Sequence, residues 1–196
     1  MITIIHKLWA FLSNCGWPMT IYTDEIAGQT FLEPVGLDAV KKYIGYDPGI
    51  NENDQFLNEE IISSRAALED WFGRAIVRRK FVTHFYDVKT NDRMRIPLMK
   101  PLRTVLKVES VDASGNVAHS ITSYTVRPGD GASVFVDPIA GIVTEIIVTY
   151  ESGYDEAPPM LKTAIMMLVK ARYERSTDDV IGQLRQYFQK YMNVNI

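Results

Sequence analysis

Apolar residues recur at helical spacing in the first third of the chain, alternate in the middle, and return to helical spacing near the end. Ile4, Ile5, Leu8, Trp9, Phe11 and Leu12 predict an amphipathic N-terminal arm at roughly helical spacing, stopped at Gly16-Trp17-Pro18. Beyond Pro34, residues 37–44 predict a short helix that ends at Gly45 and the Asp47-Pro48-Gly49 turn. Asn53 or Asp54 then caps a longer helix to about Phe72. Its Leu57, Ile61, Leu68 and Trp71, with small Ser64 between them, share one face, and Gly73 stands where a left-handed residue closes a helix.

The period then drops to two. Residues 76–88 place Phe81, Thr83 and Phe85 on one face of a strand, and Val82, His84 and Tyr86 on the other. Further strands are predicted over 93–98, 105–111, 123–126, 133–136 and 142–150. Turn chemistry separates them at 97–101, 113–116, 128–131 and 137–141. Short strands this close together need no helical crossovers, which disfavours a parallel sheet and favours a small antiparallel sandwich or barrel. Pro158 and Pro159 open the next helix, where a missing N–H costs nothing. Leu161, Ala164, Ile165, Leu168 and Val169 form its core face, broadened by Met160, Met166 and Met167. Over 177–193, Asp178 and Asp179 begin a last helix with Ile181, Leu184, Phe188 and Tyr191 as its stripe.

These elements define an α+β chain: a helical body of three main helices plus a C-terminal tail helix, with an inserted antiparallel sandwich or barrel. The expected divisions are an arm at 1–33, a body at 34–75 and 151–176, a β insertion at 76–150, and a tail at 177–196. With 196 residues, 46% of them hydrophobic and 23% charged, the chain has enough apolar material for a real core.

Candidate chemistry is sparse. His6, His84 and His119 fall in the arm, a strand and a turn, without the offsets that converge on zinc. Cys15 is the only cysteine, so no internal disulfide forms, and no base stands near it in sequence to activate it. The glycines spell neither a P-loop nor a dinucleotide fingerprint. The acids Glu52, Asp54, Glu59 and Glu60 lack the calcium-loop glycine and spacing. No catalytic residue, metal site or cofactor is therefore expected. His6 and Lys7 interrupt the apolar start, which disfavours a secretory signal, and no apolar run is long enough to cross a bilayer.

Charge is more informative than motif. The net charge of −3 hides a polarity: residues 24–64 hold nine acids against two lysines, and residues 71–107 hold ten bases against two acids. The two flanks either neutralise each other inside one subunit or meet between subunits, head to tail. A nucleic-acid face is the third reading, weakened because no known reader motif accompanies the bases.

One run carries a family resemblance. Tyr150-Glu151-Ser152-Gly153-Tyr154-Asp155 is followed by Pro158, Leu161, Lys162, Ala164 and Ile165, and the helix closes on Tyr173-Glu174. This resembles a signature of the head-to-tail connector (adaptor) proteins of long-tailed phages. Trp71-Phe72-Gly73-Arg74-Ala75-Ile76, the Pro-Leu pattern from Ile96 to Val108, and Tyr124-Thr125-Val126 are similar to further family positions in the same order. The resemblance spans about 35–174.

It implies a non-enzymatic virion protein of the phage neck: a homo-oligomeric ring, dodecameric in most members, beneath the portal protein. Such a ring extends the channel through which genomic DNA passes without sequence-specific binding, and it receives a head-closure or tail terminator protein. The place implied is the virion neck, reached from the host cytoplasm during assembly, with no membrane partner. In this frame Ile181, Leu184, Phe188 and Tyr191 become a portal-docking stripe, the alternative being a stripe packed on the subunit's own core. Arg78, Arg79 and Lys80 against Asp54 and Glu59 become the subunit interface. The competing reading is a small β-sandwich-containing binding or enzymatic domain for an unknown ligand, which requires a deep cavity with convergent polar groups.

Overall fold

A computed structural model describes residues 8–12, 18–86, 88, 91–176, 180, 182–184 and 186. The chain forms two units, Met1–Thr30 with Arg78–Gly153, and Phe31–Val77 with Tyr154–Ile196. The fold is α+β with antiparallel sheets, as the periodicity predicts.

The first unit is all β among its described residues. Its strands are β1 (Leu8–Leu12), β2 (Pro18–Glu25), β3 (Arg79–Tyr86), β4 (Met94–Pro97), β5 (Leu102–Val111), β6 (Val117–Ser120), β7 (Tyr124–Arg127), β8 (Ser133–Val136) and β9 (Glu145–Ser152). They make a six-stranded sheet ordered β1-β2-β3-β9-β5-β6 and a three-stranded sheet ordered β4-β8-β7, with every pairing antiparallel. Alternation decides what each strand buries. Phe81, Thr83 and Phe85 of β3 and Ile146, Val148 and Tyr150 of β9 point inward; Ile96 of β4 with Val134 and Val136 of β8 is the buried face of the smaller sheet. Reciprocal backbone hydrogen bonds between Leu102 and Gly129, 3.0 and 2.9 Å, join the start of β5 to the turn before β8.

Two expectations fail here. Residues 8–12 form a strand where their spacing predicts a helix, and residues 18–25, within the expected arm, form β2, which pairs with β3 so that Ile21 stands opposite Phe85. The run Thr20-Ile21-Tyr22-Thr23 is β-branched and aromatic, which suits a pleated ladder better than a helix once a sheet edge is available. Likewise His119, expected in a turn, lies in β6, which pairs with β5.

Helices α1 (Leu37–Ile44), α2 (Asp54–Phe72) and α3 (Pro159–Tyr173) build the second unit. Gly45 and Gly73 close α1 and α2 at φ 75° and 58°, and their N–H groups return to carbonyls of the last turn. Past the end of α3 the left-handed position falls to Arg175, at φ 56°. Leu57, Ile61 and Leu68 of α2 meet Leu161, Ala164, Ile165, Leu168 and Val169 of α3 in one core that also takes Val40, Ile76 and Leu184.

Two buried cations in this unit are paired, whereas the buried Ser64 hydroxyl on α2 has no hydrogen-bond partner among the described residues. Lys41, 1% exposed, meets Asp54 at 2.5 Å and donates to the carbonyls of Pro48 and Ile50 at 3.2 and 2.8 Å. Arg65 is held by Glu33 and Glu69 at 2.8 and 2.7 Å, and Glu69 also accepts the Ile76 N–H at 2.7 Å. Burying these charges is tolerable only because each has its opposite within contact.

Candidate docking surfaces

The alternation that builds β3, β9 and β2 also concentrates hydroxyls in the β unit. Thr83 contacts Thr23 at 2.8 Å and the Tyr150 hydroxyl at 3.1 Å, and that hydroxyl accepts the Met99 N–H at 3.1 Å. Burial pushes the Tyr150 phenol up to about 12, partly offset by its Thr83 and Met99 hydrogen bonds. Fully buried and hydrogen-bonded on both sides, this phenol fastens β3 and β9 to the segment at Met99.

On the opposite face of the same sheet His84 Nδ1 lies 2.5 Å from Glu145. Partial burial and the neighbouring Glu145 charge raise the Tyr86 phenol. Two of the three histidines are thus placed: His84 pairs with a carboxylate and His119 is exposed on β6, while His6 and Cys15 lie outside the described residues. Among the described residues no group of three His, Cys, Asp or Glu side chains could hold a metal ion, and no helix is long and apolar enough to cross a membrane.

Much of the charge polarity seen in the sequence is resolved within each unit. Glu25 pairs with Arg79 at 2.7 Å, Asp54 with Lys41, and Glu33 with Arg65. Glu60 pairs with Arg172 at 3.1 Å. Arg79 is 6% exposed and held by Glu25, and Asp54, 29% exposed, serves Lys41. Arg78 is different: half exposed, it reaches Glu151 at 2.7 Å. Lys80 is exposed, and Glu59 is exposed with Gln55 donating to it at 3.0 Å. In the β unit Arg78 and Lys80 face outward while Arg79 is buried; in the helical unit Glu59 faces outward and Asp54 is partly exposed beside Lys41.

The terminal stripe divides in the same way. Leu184 is 2% exposed and belongs to the helical core. Ile181, Phe188 and Tyr191 lie outside the described residues. Beside Leu184 runs a groove of about 720 Å³ lined by Pro159, Met160, Thr163, Ala164, Met167 and two glutamines. It is mostly apolar, and none of the described residues that line it is charged. Sequence reasoning did not find Lys41 and Arg65 as interior charges; the buried helix positions they occupy were the only available signal.

Neither protein-family profiles nor curated proteins give a match to the chain. Solved structures do. A chain in a structure described as the neck of an empty GTA particle computed with C6 symmetry is 18% identical, with a TM-score of 0.60 over 78% of this chain and 83% of that one. A chain of the virion of a native gene transfer agent (GTA) particle gives the same identity and TM-score over 78% and 84%. A third, from the neck of a native GTA particle computed with C12 symmetry, is 20% identical, with a TM-score of 0.57 over 78% and 82%. The chain shares their fold.

Proposed function

We propose that this protein is a structural, non-enzymatic component of a phage-type neck: a connector that assembles as a ring beneath the portal, extends the DNA channel and receives a head-closure or tail terminator protein. The observation that carries the reading is likeness of fold over 78% of the chain to chains from neck and virion structures of a phage-like particle. It agrees with the connector-like run from Tyr150 to Glu174. Neck structures computed with C6 and C12 symmetry favour a homo-oligomeric ring, and twelve subunits is the number we adopt.

In this reading Arg78, Lys80 and Glu59 are the outward charges that steer neighbouring subunits, with Arg79 and Asp54 at the same contact while engaged by Glu25 and Lys41. The tail stripe of Ile181, Leu184, Phe188 and Tyr191 is the portal contact, with Leu184 rooting it in the helical unit. DNA passes through the channel without base-specific contacts, and the protein resides in the virion neck after assembly in the host cytoplasm. The test is to mix purified chain with the portal protein of the same particle, then sediment and image the product. Rings capping the portal are expected. A chain that stays monomeric and fails to co-sediment with portal at any salt concentration overturns the reading.

A further inference from the structure

The six-stranded sheet has two open ends, β1 and β6, and among the described residues no strand pairs with the outer edge of either. Unpaired edges of this kind are templates for another chain, and proteins normally blunt them with charged residues or proline. The smaller sheet follows that rule: its edge β4 carries Arg95 and Pro97, and its edge β7 ends in Arg127. The large sheet does not. β1 reads Leu8-Trp9-Ala10-Phe11-Leu12 and β6 reads Val117-Ala118-His119-Ser120, without proline, lysine, arginine or carboxylate. Val117 is 56% exposed, an apolar residue set in water at the sheet's margin.

Strand parity adds the geometry. Six strands paired antiparallel throughout alternate in direction, so β1 and β6 run opposite ways. If a copy of the sheet is carried beside itself by a head-to-tail operation, β6 of one copy lies antiparallel to β1 of the next. An odd number of strands would force a parallel junction. The two edges are also matched in length, five residues and four.

We propose that β6 of one subunit pairs antiparallel with β1 of its neighbour, so that successive six-stranded sheets join edge to edge around the assembly. The partner is a second copy of this chain, the interface is heterologous, and main-chain hydrogen bonds form it. A four-residue edge holds few such bonds per junction, so closure of the ring, not pairwise affinity, makes the assembly persist. This inference rests on the ring proposed above and names the contact that closes it.

Cysteine cross-linking with the full chain tests it, in a Cys15→Ser background. Ala10→Cys is placed in β1 and, in a second protein, Val117→Cys, Ala118→Cys or His119→Cys is placed in β6, because opposed residues of an antiparallel ladder lie within disulfide reach. Mixed under mild oxidation, the two proteins should give a mixed dimer in at least one register, and a chain carrying both cysteines should give a ladder of multimers. Val117→Lys, at an exposed position, should keep its circular dichroism spectrum and lower ring yield by about tenfold through an edge charge. An Ala10→Cys protein that links only to itself would instead mean a two-fold β1 contact and overturn the proposal. Rings that form by electron microscopy but cross-link in no register overturn the edge contact while leaving the ring intact. Absence of rings with or without portal removes both.

Discussion

Replacing Leu184 with alanine separates a tail that belongs to the fold from one that only decorates it. Leu184 is 2% exposed in the helical core, among Leu161, Ala164 and their neighbours. Fully burying a leucine contributes roughly 1.5–3 kcal/mol, and leucine-to-alanine changes in close-packed cores cost about 2–5 kcal/mol once the cavity is counted. The groove of about 720 Å³ beside it is lined by Met160 and Met167, flexible side chains able to move into vacated space. That argues for the lower half of the range, about 2–3 kcal/mol. For a chain of 196 residues each kcal/mol lowers the melting temperature by roughly 2–4 °C, so a fall of about 4–12 °C is expected. Thermal melting followed by circular dichroism measures it, with Ile62→Ala, at a position 48% exposed on α2, as the control that should barely move. A Leu184→Ala chain as stable as the control would refute the packing argument and return Leu184 to a surface stripe.

Alkaline titration should report Tyr150. Its folded value of about 12 lies above the usual 10, so the unfolded chain releases this proton first; stability is intact below pH 10 and falls by about 2–3 kcal/mol as pH rises toward 12. Tyr150→Phe should flatten that alkaline fall in denaturant titrations, while losing about 1–3 kcal/mol at neutral pH by stranding the Met99 N–H; an unchanged alkaline slope would count against the burial argument. Arg79→Glu should unfold or strongly destabilise the β unit by facing Glu25 with a like charge. Lys80→Glu should leave thermal melting within about 0.5 kcal/mol and weaken assembly only at low salt, read by light scattering across a salt series. Arg175→Gly should stabilise the helical unit by about 1 kcal/mol, since glycine takes the left-handed position without a Cβ clash; thermal melting will show an increase or contradict the claim.

The helices were legible because their cores are local. Leu57, Ile61 and Leu68 fall on one face by spacing alone, and Gly45, Gly73 and Pro159 mark ends with backbone chemistry that few other residues share. Strands β3, β8 and β9 were legible from alternation and from turns that bound them. What stayed hidden depends on partners distant in sequence. Residues 8–12 are apolar without alternation, and they become a strand because β2 offers an edge, which in turn needs β3 some sixty residues on. The charge polarity was visible, but its meaning was not: Glu25 and Arg79, or Glu33 and Arg65, meet only when the fold brings them together. Lys41 looks like a surface lysine on α1, and nothing within its own helix announces the Asp54 carboxylate and the two carbonyls that receive it.

The order in which the chain is strung through its two units has a kinetic consequence. The helical core must bring Leu57, Ile61 and Leu68 to Leu161, Ile165 and Leu168 across the whole of Arg78–Gly153. Closing a flexible loop of about 76 residues costs roughly 4 kcal/mol in chain entropy, most of it before any contact repays it. Once β3 and β9 have paired, Arg79 stands opposite Ser152, and the two ends of that loop already lie side by side. Val77 and Tyr154 can then bridge directly, with Arg74 donating to the Tyr154 hydroxyl at 3.0 Å. The β sheet therefore acts as a clasp on its own neighbours in the chain. During synthesis it is complete before α3 emerges, so the helical unit inherits a closed loop and needs only to zip.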